Sequence, residues 1–356
     1  MTDLDSYPPA LRHHLISHHP SSDDDRRRRE EPDLDGITTG SHAVPVIDLE
    51  CLLNEDDEMM KKLDEACKDW GIFRLANHGV PLTLISQLHD VAKQLFCMPF
   101  ESKHASFGDG SGGPVVYFWG TPALTAAGRG VSGDPNKINF FEGFNVPLAP
   151  LHEFQPQLPL LECFRAVLFE YGKHLSRIVR SLFEAMAKKL DLSIEKSMMS
   201  SYVADKKTGF MRVYRYPRNP NSDNNVGSWG MEPHTDSSVL SILNLHAQDS
   251  GLEVLRDHQW LPVQSIPNTL TVNIGDMMQK QAISDDRYKS ALHRVKINQE
   301  KERISVCYFV FPDDDLVIQS SNYKPFTYSH FRSQVQHDIK TIGHKVGLSR
   351  FAHQTS

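Results

Sequence analysis

His234 and Asp236 stand two residues apart in Met231-Glu232-Pro233-His234-Thr235-Asp236. In an extended segment both side chains leave the same face. An imidazole beside a carboxylate suits a first-row divalent metal, but two protein ligands rarely hold one alone. His293 follows 57 residues after Asp236 and completes a two-histidine, one-carboxylate set. Such a set grips a metal on one side and leaves the opposite positions open, as oxygen activation requires. With no soft thiolate in the set, ferrous iron suits it better than zinc, although any borderline divalent ion could enter. Ten residues past His293 stand Arg303 and Ser305, again two apart. A guanidinium fork offers paired donors to a carboxylate and a neighbouring hydroxyl adds a third. Alone, this pair would read as a surface ion pair. Beside the strand of the third ligand, it reads as an anchor for a dicarboxylate whose other end reaches the metal.

A run of short strands must position these groups. After Gly209 the pattern predicts strands at 210–216, 239–245, 252–256, 260–264, 270–274, 292–297 and 303–311, a spacing that suggests a sandwich or small barrel. A helix over 329–344 follows, and residues 346–356 are expected to fray. Upstream, Val44-Pro45-Val46-Ile47-Asp48-Leu49 reads as a strand that Asp48 ends. Met59, Leu63, Cys67 and Trp70 recur at helical spacing, and a buried strand, a turn at Asn77-His78-Gly79 and a helix opened by Pro81 come next. His78 reads as structural. Residues 106–150 read as irregular, and their glycines (Gly108, Gly110, Gly112, Gly113) lack the Lys-Ser/Thr of a phosphate loop. A long helix from Pro159 to Leu190 reads as a spine along the sheet, with a shorter one near 194–202. The chain thus divides into a disordered tail over 1–43, a mostly helical region over 44–205, a core over 206–345 and a frayed end.

Bulk properties narrow the function. A net charge of -7 argues against a nucleic-acid or anionic-membrane binder. Five scattered cysteines without a C-x-x-C pair fit a reducing compartment, and no membrane-length apolar run or signal peptide is seen. The expectation is a cytosolic monomer acting on a small molecule. Arg26 to Arg29 leave a nuclear address as the alternative to a solvated charge run, and His13-His14 and His18-His19 lie in a tail too flexible to preorganise a metal site.

The motifs resemble those of the plant-type 2-oxoglutarate/Fe(II)-dependent dioxygenases (isopenicillin N synthase-like), nearest the gibberellin-oxidase-like branch. In the C-terminal half these are His234-x-Asp236, His293-Arg294-Val295, Arg303-x-Ser305, Arg212-x-x-x-Tyr216-Pro217, Gly251-Leu252-Glu253-Val254-Leu255 and Val272-Asn273-Ile274-Gly275-Asp276. The N-terminal half agrees through Val44 to Leu49, Asp69-Trp70-Gly71-Ile72-Phe73, Asn77 to Pro81 and Met98-Pro99-Phe100-Glu101-Ser102-Lys103. The resemblance implies a mainly β core, a double-stranded β-helix (jelly roll) flanked by helices. It implies Fe(II) on His234, Asp236 and His293, and 2-oxoglutarate on Arg303 and Ser305 with a further hydrogen bond from Tyr216. It also implies oxidative decarboxylation of 2-oxoglutarate by O2, with ascorbate as reductant, coupled to hydroxylation or desaturation. Tyr214 stands where the family usually has Asn.

The alternation from Arg303 and Ser305 continues to Cys307, Phe309 and Phe311, so Phe309 and Phe311 are expected in the substrate pocket, plain core being the alternative for Phe309. Phe141 and Phe144, in an aromatic run at 139–144 that reads as core or pocket wall, are looser candidates. An aromatic cavity suits a small apolar metabolite: a gibberellin-like hormone first, then a flavonoid, coumarin or auxin. The rivals of other classes are a non-catalytic jelly-roll binding module and a zinc hydrolase, the latter without an H-E-x-x-H helix.

Overall fold

Local signals set the element boundaries in the computed structural model, which describes residues 3–16, 43–108, 113–120, 139–152, 154–156, 158–191, 209–219, 229–245, 251–280, 284–320 and 322–353. Helix α1 (Pro9–Ile16) precedes strand β1 (Val46–Asp48). Asp48 ends β1, and its carboxylate accepts the backbone N–H groups of Glu50 and Cys51 to open α2 (Leu49–Leu53). Asp56 caps α3 (Asp57–Glu65) through the N–H of Met59. A π turn at Ala66–Trp70 then ends at Gly71, where φ is +66° and an added Cβ would lie 2.3 Å from the Lys289 carbonyl oxygen. Strand β2 (Ile72–Ala76), α4 (Leu82–Phe96) and α5 (Phe100–Phe107) follow. His78 is buried in the turn before α4, and its Nδ1 accepts the N–H of Val80, a structural role as expected. Helix α6 (Pro159–Lys189) is the expected spine, and it buries Phe164, Leu168, Leu175, Ile178, Leu182 and Phe183 along one stripe.

The remaining strands are β3 (Val116–Trp119), β4 (Glu142–Pro147), β5 (Phe210–Tyr216), β6 (Trp229–His234), β7 (Leu240–Leu245) and β8 (Leu252–Arg256). After them come β9 (Gln259–Pro262), β10 (Leu270–Ile274), β11 (His293–Lys296), β12 (Arg303–Val310), β13 (Val317–Ser320) and β14 (Tyr323–Thr327). A mixed main sheet runs in the order β1-β2-β10-β7-β12-β5-β4-β3, and a smaller one in the order β6-β11-β8-β9. Together they make a jelly-roll sandwich. Strand alternation divides the main sheet's side chains between two hydrophobic clusters. Val306, Tyr308 and Val310 of β12 join Met211, Val213 and Ile242 in the large cluster packed on α6. Cys307 and Phe309 join Tyr214, Tyr216 and Leu243 in a second cluster, shared with Leu252, Val254 and Val295 of the smaller sheet.

Several expectations need correction. Residues 44–205, expected to be mostly helical, also supply strands to the core: β1 and β2 extend the main sheet past β10, and β3–β4 extend it past β5. The described part of 106–150, expected to be irregular, holds the paired strands β3 and β4. The frayed end contains a 3-10 turn, Gly347–Phe351, whose Leu348 and Phe351 are buried. The disordered tail begins with an ordered stretch: Ser6, Tyr7 and Leu11 are all buried, because they cover groups that could not otherwise leave water. The helix expected near 194–202, Gly110, Gly112, His18-His19 and Arg26 to Arg29 lie outside the described residues.

Those covered groups form a charge cluster on the α6 side of the sheet. Lys103, Glu142 and Arg215 are almost fully buried. Lys103 Nζ donates to Glu142 Oε2 at 2.7 Å, Arg215 grips the other carboxylate oxygen, and Tyr117 donates to Glu142 as well. Two cations thus share one carboxylate in a dry interior, where losing one partner costs far more than an intact pair contributes. Replacing Glu142 by Ala is expected to lower the unfolding free energy by about 3–5 kcal/mol, read from urea denaturation followed by circular dichroism. A change near zero would show that the cluster is already solvated.

Candidate active site

Strands β6 and β11 pair with His293 opposite His234, which brings the two rings to 4.3 Å between centroids. Asp236 lies just past β6, its Oδ1 3.9 Å from His234 Nε2 and 3.8 Å from His293 Nε2. One ligand atom from each of the three lies within 4.8 Å of the others. His234 Nδ1 meets the Glu232 carbonyl at 2.7 Å, and His293 Nδ1 meets that of Ala291 at 3.0 Å. A carbonyl only accepts, so each Nδ1 carries the proton and each Nε2 turns its lone pair inward. Burial, reinforced by the neighbouring His293, draws His234 down to about 3 and keeps it neutral. Burial alone would raise Asp236, but His293, His234 and hydrogen bonds from Ser241 and Asn273 hold it below the usual carboxylate range. Ser241 Oγ at 2.5 Å and Asn273 Nδ2 at 3.4 Å both donate to Oδ2, which leaves Oδ1 facing the imidazoles.

The loop carrying Asp236 is gripped from the far end of the chain. Lys345 Nζ donates to the Thr235 carbonyl and to Ser237 Oγ, each at 2.8 Å, and pairs with Asp276 Oδ2 at 2.7 Å. The Asp276 N–H in turn donates to the Asp236 carbonyl at 2.8 Å. Gly275 allows that approach, since a Cβ there would lie 1.9 Å from the Ser238 carbonyl oxygen. Sequence reading did not find Lys345, Ser241 or Asn273 as site residues. Asn273 and Asp276 lay in a recognised motif run, but nothing local marks Lys345.

Across the cavity, β12 pairs with β5 so that Arg303 faces Tyr216, Ser305 faces Tyr214 and Cys307 faces Arg212. Arg303 is buried over the Tyr216 ring, 4.9 Å from its centroid, and its Nε and Nη1 meet no acceptor among the described residues. A buried guanidinium with unmet donors is costly, so the donor set fits an anionic ligand. Ser305 hydrogen-bonds Tyr216, whose phenol burial pushes well up, so it stays a neutral donor. Burial likewise pushes the Cys307 thiol up to about 12, and the ligand atoms that converge are those of His234, Asp236 and His293.

These groups open into one cavity of about 380 Å³ whose lining includes Phe309, Phe311, Leu243 and Leu252. Phe309 and Phe311 thus stand where the alternation placed them. Phe141 stands one layer back, packed on Tyr214 at 5.5 Å and Tyr216 at 6.0 Å between ring centroids. Phe144 is a correction. It faces the opposite side of β4, buried in the main core against Phe96 and Tyr117 at 5.2 and 5.3 Å. Tyr214 itself lines the cavity and adds an aromatic wall.

A jelly roll holding a two-histidine, one-carboxylate triad beside a buried, unmatched arginine defines a class of non-haem iron oxygenase. The chain belongs to the 2OG-Fe(II) oxygenase superfamily, which it matches over residues 207–312, and residues 44–121 match the family described as non-haem dioxygenase in morphine synthesis N-terminal. It is therefore a dioxygenase that uses Fe(II) and 2-oxoglutarate. The curated Gibberellin 2-beta-dioxygenase 6 of Oryza sativa subsp. japonica is 32% identical over 88% of this chain and 86% of its own length. The crystal structure of JOX2 in complex with 2OG, Fe and JA is 27% identical, with a TM-score of 0.71 over 87% of this chain and 89% of that one. The rice dioxygenase for auxin oxidation is 25% identical, with a TM-score of 0.69 over 87% of this chain and 100% of that one.

Lys345→Met should weaken Mn(II) binding to the metal-free protein by roughly 5–30-fold, the effect of one or two kcal/mol, while Lys345→Arg stays near wild type. Calorimetric titration reads this directly. Unchanged affinity in Lys345→Met would mean that the grip on the Asp236 loop does not shape the site.

Proposed function

We propose that this dioxygenase hydroxylates or desaturates a small apolar carboxylic acid in the cytosol, with a gibberellin-like hormone as the first candidate. His234, Asp236 and His293 hold Fe(II) through two Nε2 atoms and Asp236 Oδ1. Arg303 and Ser305 take the distal carboxylate of 2-oxoglutarate, and the neutral Tyr216 phenol donates to it. Bound together, iron and 2-oxoglutarate supply the oxidising equivalent from O2 and leave succinate and CO2 behind. The protein's part is to orient the reacting groups and keep water out.

The observation that carries the substrate class is Arg212. It lines the cavity, its Nε donating to Asn145 Oδ1 at 3.0 Å and its guanidinium lying 5.0 Å from the Phe309 ring centroid. Among the described residues it has no carboxylate partner. With Arg303 assigned to 2-oxoglutarate, Arg212 is the cation left in the apolar chamber to meet a molecule that is greasy except for one acid group. A flavonoid or coumarin without a carboxylate would leave that cation unmatched, which favours the acid reading over them. The gibberellin choice is supported by the 32% identity to a gibberellin 2-beta-dioxygenase over 88% of this chain. The cytosolic setting is supported by five free cysteines. Among the described residues, no helix is long and apolar enough to cross a membrane.

Purified protein with Fe(II), 2-oxoglutarate and ascorbate should add one oxygen atom to a gibberellin free acid, or remove two hydrogens, and form succinate in step. The methyl ester should be a poor substrate. Arg212→Leu should raise the substrate KM roughly tenfold to a hundredfold and leave half-saturation by 2-oxoglutarate unchanged. Equal turnover of acid and ester, measured by mass spectrometry, would remove the acid reading.

A further inference from the structure

Several contacts made by residues 3–16 fall next to groups on the cavity wall or behind it, while Arg12 also reaches Glu101 and Phe100 outside the cavity. Ser6 completes the buried charge cluster. Its carbonyl accepts from Lys103 Nζ at 2.7 Å and from Arg215 Nη2 at 3.2 Å, and its hydroxyl accepts from Arg215 Nη1 at 3.2 Å. Tyr7 lies against the same guanidinium, 3.8 Å from ring centroid to Arg215 Cζ, and its hydroxyl donates to Glu302 Oε2 at 2.8 Å. Leu11 is buried with Phe140 and Ile297. Arg12 fixes the segment's own shape by donating to the carbonyls of Tyr7 at 2.7 Å and Asp5 at 2.9 Å.

The neighbours of those contacts matter. Arg215 sits on β5 between Tyr214 and Tyr216, which point the other way into the cavity. Glu302 immediately precedes Arg303. Phe140 immediately precedes Phe141, which backs both tyrosines.

From this geometry we propose that residues 3–16 are an intramolecular clamp that holds the 2-oxoglutarate site in shape, with Ser6, Tyr7 and Leu11 as its positioning residues. With the segment docked, Arg215 and Glu142 interact in a dry interior, and β5 is pinned at the register that sets Tyr216 opposite Arg303. With it lifted, water reaches the cluster and weakens the attraction between Arg215 and Glu142. The hairpin between β11 and β12 then loses its tether at Glu302. Two of the three metal ligands, His234 and His293, lie on the smaller sheet, and the segment's contacts given above fall on none of the three ligands themselves. The clamp should therefore act on 2-oxoglutarate affinity and leave metal affinity alone.

This inference rests on the assignment of Arg303 to 2-oxoglutarate, and the experiment separates the two. In Leu11→Asp, a charge placed against Phe140 and Ile297 undocks the segment, seen as fast amide hydrogen exchange over 3–16. Calorimetry on the Mn(II)-loaded protein should then show 2-oxoglutarate binding weakened roughly 5–30-fold, with Mn(II) affinity unchanged and Leu11→Met like wild type. Tyr7→Phe, which removes only the bond to Glu302, should give a smaller loss at an unchanged melting temperature. Arg303→Met should lose 2-oxoglutarate binding outright; if it does not, the cosubstrate assignment fails. If it does, and yet undocked Leu11→Asp or folded Tyr7→Phe binds 2-oxoglutarate like wild type, the clamp is overturned. Parallel loss of Mn(II) affinity in Leu11→Asp would overturn it too, by showing a general loss of structure.

Discussion

Neighbouring side chains on a strand leave opposite faces, and this site depends on that alternation in β5 and β12. Arg212, Tyr214 and Tyr216 alternate with Met211, Val213 and Arg215, and Arg303, Ser305, Cys307 and Phe309 alternate with Ile304, Val306 and Tyr308. One set lines the reaction chamber and the other builds the interior against α6. A slip of one residue in the register between these strands would exchange the sets, sending the anchor into the core and the core into the chamber. The pairing of β12 with β7 on its other side makes that slip costly, because Ile242 and Leu243 would change faces as well.

Three arginines on this one sheet show how surroundings decide what a guanidinium does. Arg215 meets a carboxylate, a serine and a tyrosine ring in a sealed interior, and it holds structure together. Arg303, two residues from Ser305 on the opposite face, is equally buried but keeps donors unmet. Arg212 lies between these extremes, hydrogen-bonded to Asn145 and Tyr214 but to no carboxylate among the described residues. Burial alone would not distinguish the first two. Satisfaction of the donors does.

What the sequence disclosed follows the same physics. His234 with Asp236, and Arg303 with Ser305, were legible because their spacing is local and the strand period fixes which residues share a face. The spine helix was legible because its apolar stripe runs unbroken from Phe164 to Met186. Lys345 was not, since it reaches Thr235 across 110 positions and has an ordinary local context. The opening segment was misread for a related reason. Its composition is polar enough for a disordered tail, and what orders it is a cluster that the fold assembles from Lys103, Glu142 and Arg215. Phe144 was misplaced because an aromatic residue near a pocket sequence can belong to either face, and the strand β4 that decides this had not been recognised. The β-rich run Val115-Val116-Tyr117-Phe118-Trp119 was the available signal for its hairpin partner.

Lys345 belongs at once to the rim of the chamber and to the grip on the Asp236 loop. The two duties are mechanically joined through Gly343, His344 and Val346, which line the same rim. Any movement of this wall segment would draw Lys345 away from Thr235 and Ser237. One lysine therefore couples the shape of the chamber wall to the position of Asp236.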